Sequence, residues 1–182
     1  MFKKRTLTIV LLVCLLIVLT VTAGNTVAYI VRTAAPIPNT FVPASVSCQV
    51  EETFANNVKE NVSVRNTGNI SAYIRAAVVI NWVDEQTGKI LSNPPGGNTH
   101  YAIEWADIRW VQGTDGFWYY PYSVASGDKT PNLIRSVTVL GEIPEGVRLS
   151  VQILASAIQA NPADVVATQW NVTVSNGVID PK

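Results

Sequence analysis

Hydrophobic and polar positions alternate with a period of two over most of the chain beyond residue 45. Val46, Cys48 and Val50 are interleaved with Ser47, Gln49 and Glu51, the pattern of a strand with one buried and one wet face. Val62 and Val64 repeat it. Residues 71–83 are rich in β-branched and aromatic side chains and predict a long central strand. Asp84 to Gly88 close that strand, Lys89 to Leu91 pair back onto it, and Asn93 to Asn98 form a loop. Further strands are predicted over 103–111, 116–124, 134–140 and 148–158, bounded by turn residues such as Gly113-Thr114-Asp115-Gly116 and Pro144-Glu145-Gly146. Asn66-Thr67-Gly68-Asn69 offers a turn made of residues that tolerate positive φ. One short helix is predicted from Pro162 to Thr168, capped by Asn161. Short strands separated by turns predict an all-β fold, a two-sheet antiparallel sandwich of the jelly-roll kind.

The first 28 residues break this pattern. Lys3, Lys4 and Arg5 precede an uncharged apolar run from Leu7 to Ala23, and the small residues Thr26 and Ala28 follow. This is the layout of an export signal cleaved between Ala28 and Tyr29. The competing reading is an uncleaved anchor, since the run approaches the lower limit for spanning a bilayer. Residues 29–45 form an arm whose prolines exclude a central strand. The predicted organisation is therefore signal peptide 1–28, arm 29–45 and sandwich 46–182.

The leader carries three of the 13 basic residues and none of the 13 acidic ones, so the remainder has a net charge of −3. No basic face for nucleic acid is expected. Only 14% of residues are charged, a composition that suits burial against copies or partners. Cys14 lies in the leader, which leaves Cys48 without an internal disulfide partner. Its place in an alternating strand makes it a small buried residue, not a reactive thiol.

Catalytic patterns are missing from the sequence. His100 is the single histidine. It sits in a polar loop and is expected to be solvated; no His-Glu-x-x-His or Gly-x-Ser-x-Gly pattern accompanies it. Glu51-Glu52 and Asp84-Glu85 read as solvated charges at a strand end and a turn, and the Asn-x-Ser/Thr triplets as chance. No catalytic residue, cofactor or metal is expected. The densest chemistry is aromatic: Trp105, Trp110, Phe117, Trp118, Tyr119, Tyr120 and Tyr122 fall within 18 residues. Alternation separates Phe117 and Tyr119 from Trp118 and Tyr120, so one set enters the core and the other needs a cover. That cover is a loop of the same domain, a neighbouring subunit, or a sugar stacked on Trp105, Trp110, Trp118 and Tyr120.

Several phrases resemble the TasA/camelysin family of exported Gram-positive surface proteins. They are Thr26-Val27-Ala28-Tyr29, Asn39-Thr40-Phe41-Val42-Pro43, Lys59 through Asn69 leading into Ala72-Tyr73-Ile74-Arg75, Asp115-Gly116-Phe117-Trp118-Tyr119-Tyr120, and Ala157-Ile158-Gln159-Ala160 with Trp170 beyond. The resemblance implies processing by a SipW-type signal peptidase, secretion to the cell surface or biofilm matrix, and a jelly-roll domain. It also implies fibres in which an N-terminal strand is donated to the next subunit, with Tyr29, Ile30 and Val31 as the inserted segment. The sequence alone leaves a second reading open: a monomeric secreted module that binds cell-wall or matrix carbohydrate.

Overall fold

The computed structural model describes residues 3–17, 42–55 and 58–182. The Ala28–Tyr29 junction and the arm residues Tyr29, Ile30 and Val31 lie outside them. The chain divides into two compact units, Met1–Val42 and Pro43–Lys182. The first contains a helix, α1, over residues 3–17, whose Leu, Ile and Val side chains face outward all round. No helix among the described residues is long and apolar enough to cross a membrane.

The second unit is an all-β, two-sheet antiparallel sandwich. Its elements are β1 (Cys48–Ala55), β2 (Val58–Asn66), β3 (Ala72–Asp84), β4 (Tyr101–Trp105), β5 (Val111–Gln112), β6 (Trp118–Val124), β7 (Ile134–Val139), β8 (Val147–Gln159), α2 (Ala163–Trp170), β9 (Thr173–Ser175) and β10 (Val178–Asp180). One sheet has the order β1-β2-β7-β4; the other runs β8-β3-β6-β10-β9, with β5 paired to β6. Val62 and Val64, and Ile74 and Ala76, follow period two and point between the sheets, where Ile134 and Val137 join them across an irregularity in β7 at Arg135. Cys48, half-buried, packs on this core, and burial pushes its thiol above the ordinary value.

Residues predicted as one strand over 103–111 form two. Asp107 interrupts them, because its Oδ1 accepts the Arg109 amide at 2.8 Å and turns the chain. The predicted return of 89–91 is present as a single bridge, Val83 to Ile90. Helix α2 forms as expected, but Pro162 is its N-cap and makes no side-chain capping bond.

The 66–69 corner uses its residues differently from the expectation of positive φ. Asn66 is fully buried; its Nδ2 donates to the carbonyls of Ile70 and Val124, and its Oδ1 accepts from the Gly68 amide. Gly68 is required by proximity: a Cβ there would lie 2.5 Å from the Ser45 carbonyl oxygen. Asn69 grips the incoming chain, donating to the Pro43 carbonyl at 2.8 Å and accepting from the Ser45 amide at 2.7 Å. The corner thus fixes where the chain enters the sandwich.

Candidate functional site

The two sheets part company at one lateral edge. Strand β1 ends one sheet and β8 ends the other. Near Cys48 and Val50 their side chains share the core. Towards Phe54 they leave a cleft of about 610 Å³. Its walls are Phe54 from β1, Val137 and Val139 from β7, Ile143 and Pro144 from the following loop, and β8 from Val147 to Val151. Phe54 is 69% exposed and stands at the rim of this cleft. The polar members are peripheral or already paired: Lys59 Nζ meets the Glu52 carboxylate at 2.6 Å, while Glu85 and Arg148 border the opening.

Strand β8 gives this cleft a second property. It pairs with β3 through all its length, from Val147↔Asp84 to Gln159↔Ala72. Among the described residues no strand pairs with its other side. The N–H and C=O groups of alternate residues along this 13-residue strand therefore face away from β3, and the Val147–Val151 stretch of that edge borders the apolar trough. Along β1 the corner that grips Pro43 and Ser45 lies near Cys48, and the cleft lies at Phe54. Six residues of strand put about 20 Å between them.

The aromatic residues singled out in the sequence do not form an open face. Trp110 is 4% exposed, and its indole donates to the Pro131 carbonyl at 3.2 Å. Trp118 and Tyr120 are half-buried against the inter-sheet core. Trp105, 40% exposed, lies with its ring centroid 4.2 Å from that of Trp118 and seals the lateral edge opposite the cleft. The physical reason is strand register: the face of β6 that carries Trp118 and Tyr120 is the inward one.

Phe117 and Tyr119 face the other way and are covered by the same domain. Helix α2 and the β9–β10 hairpin fold over them, making a second core with Tyr73, Val166, Trp170 and Ile179. Arg75 enters this core as a cation among rings, its guanidinium carbon 4.7 Å from the Trp170 centroid and 5.9 Å from that of Tyr119. It also donates to the Tyr119 hydroxyl at 3.1 Å and to Ser156 at 3.2 Å. The Tyr119 hydroxyl in turn donates to Asp115 at 2.6 Å. Burial, aided by that carboxylate, pushes Tyr119 above the ordinary tyrosine value.

The remaining candidates are structural in place. His100 is not a solvated side chain: its Nδ1 accepts the Gly96 amide at 2.8 Å, and its ring meets Trp82 edge-on at 5.3 Å. Glu51 is held by Arg65 at 2.5 Å, which lowers its carboxyl below the usual range. Among the described residues no three His, Cys, Asp or Glu side chains are grouped to hold a metal ion. Comparison of the chain with known protein families, curated proteins and solved structures finds no match.

Proposed function

We propose that this chain is a secreted structural protein of a bacterial cell-surface or biofilm-matrix assembly, a fibre subunit whose N-terminal arm adds a strand to the next copy. The observation that carries the reading is the apolar cleft beside the edge of β8 that no strand among the described residues pairs. An added strand satisfies the edge groups of β8 and lays alternate side chains into the trough, which is how extended peptides dock on open sheets. The arm has a suitable composition, with Tyr29, Ile30 and Val31 ahead of the prolines at 36 and 38. Its likeness to the TasA/camelysin phrases agrees with this role. A carbohydrate-binding module is the weaker reading, because Trp105 is the one residue of the proposed stacking set that is substantially open to solvent.

Sedimentation and negative-stain imaging of the exported protein test the proposal. Concentration-dependent filaments, lost on deletion of residues 29–35, are the expected result. A protein that stays monomeric at all concentrations and is retained by insoluble glycan would transfer the assignment to the binding module.

A further inference from the structure

Asn176 is the only asparagine in the chain that is followed by glycine. With Gly177 it forms the two-residue turn between β9 and β10, where Ser175 pairs with Val178 and the turn residues have φ of 51° and 76°. Both are exposed. Among the described residues, neither the Asn176 side chain nor the Gly177 amide has a hydrogen-bond partner. A carboxamide next to a backbone nitrogen whose residue has no Cβ to crowd the approach is the arrangement that closes to a cyclic imide.

Other positions are closed to this chemistry. Asn61, Asn69, Asn98 and Asn171 precede Val62, Ile70, Thr99 and Val172, whose branched side chains shield the following amide. Asn93 and Asn161 precede prolines, which have no N–H. Asp115-Gly116 has a suitable sequence but a locked geometry. The Asp115 carboxylate accepts from the Phe117 amide at 3.1 Å and the Tyr119 hydroxyl at 2.6 Å, and the Gly116 amide donates to the Gly113 carbonyl at 3.3 Å.

Water is the one co-reactant needed. The Gly177 nitrogen attacks Cγ of Asn176, a C–N bond forms, and the side-chain nitrogen leaves as ammonia with the proton that Gly177 gives up. One water then opens the imide. Opening at Cγ gives aspartate on the original backbone, whereas opening at the backbone carbonyl gives isoaspartate, with the chain routed through the side chain. Asp-Gly suits the same turn. Isoaspartate adds a carbon to the main chain, so the loop no longer matches the Ser175–Val178 pairing.

The turn holds down the cover of the second core. The Tyr73 hydroxyl donates to the Gly177 carbonyl at 2.9 Å, and Ile179, 2% exposed, packs in that core with Tyr73 and Tyr119. Ring closure takes the backbone of Asn176 out of its hairpin conformation, so it follows local opening of the three-residue strands. We infer that Asn176 is a site of spontaneous deamidation, gated by the Tyr73–Gly177 hydrogen bond, and that its isoaspartyl product uncovers the second core.

Ageing the purified full chain in mildly alkaline buffer tests this, with intact mass and peptide mapping that separates aspartate from isoaspartate. Asn176 should convert before any other asparagine and give both products. Tyr73→Phe keeps the ring in the core and should speed conversion about fivefold, the effect of losing one net hydrogen bond. Hydrogen exchange over residues 178–180 should accelerate in the isoaspartyl fraction, keep the parental rate in Asn176→Asp, and leave Ile74 unchanged in both. Earlier conversion of another asparagine, no conversion at Asn176, an unchanged rate with Tyr73→Phe, or parental exchange over β10 in the isoaspartyl fraction would overturn the inference.

Discussion

The guanidinium carbon of Arg75 lies 4.1 Å from the centroid of the Phe117 ring. With Trp170 and Tyr119 also near, this one side chain ties β3 to the residues covered by α2 and the C-terminal hairpin. Arg75→Leu removes the cation–π contacts and two hydrogen bonds, and should lower stability by about 2–3 kcal/mol. Arg75→Lys should recover less than half of that, because an ammonium lacks the planar fork. Urea unfolding measures both. A leucine variant within about 0.5 kcal/mol of the parent would show that the rings pack without the cation.

At the 66–69 corner, Gly68→Ala places a methyl group 2.5 Å from a backbone oxygen. The chain must shift to relieve it, at a cost of about 1–3 kcal/mol. Asn69→Ala is milder, roughly 1 kcal/mol, but it frees Pro43 and Ser45 from both of their side-chain bonds. Hydrogen exchange should rise at the Ser45 amide and remain unchanged at Ile74. Equal acceleration at both sites would mean that the corner supports the whole sandwich.

Tyrosines and carboxylates set opposite limits on pH. Tyr119 and Tyr73 hold their protons more tightly when folded, through burial first. Their contribution is complete below the ordinary tyrosine value of about 10 and is lost as pH rises through the raised values. Asp107, lowered by hydrogen bonds from Arg109, contributes above the ordinary carboxylate value of about 4 and loses this as pH falls through the lowered value. Urea midpoints should be flat near neutrality and fall at both extremes. Tyr119→Phe should reduce the alkaline slope, and an unchanged slope would remove Tyr119 from this account.

Processing is open to a direct test. Ala28→Leu puts a branched side chain immediately before the expected cleavage point, where a small residue is needed. The precursor should accumulate in the membrane fraction. Intact-mass measurement of the wild-type product should give an N-terminus at Tyr29, and a start elsewhere would displace the arm's boundaries.

The fold was legible wherever alternation ran uninterrupted. Residues 72–84 and 147–159 form strands almost where the pattern placed them, because each has one face against a continuous core. The strand expected over 103–111 failed at Asp107, whose side chain captures a nearby amide and overrides β propensity. The β9–β10 hairpin carried a readable signal: Asn176 and Gly177, with φ of 51° and 76°, form the kind of pair that joins two strands. The flanking strands have only three residues each, too few for alternation to show in the sequence. The cleft had no local signature, since Phe54, Val137 and Leu149 come together only through sheet order. Likewise, alternation divided the β6 aromatics correctly into two sets, but nothing local stated which set faced inward.

In the strand-donation assembly proposed above, the gripped corner from which the arm departs and the cleft about 20 Å away along β1 are two unlike joining surfaces on one copy. A subunit joined by two unlike surfaces does not saturate its partner: each addition hides one trough and brings another. Such a polymer has chemically distinct ends, one carrying a vacant trough and the other an unused strand. A copy without its strand can occupy no neighbour's trough, yet its own trough still accepts one. In that proposed assembly it acts as a chain terminator, so a small fraction of arm-clipped molecules should shorten the filaments.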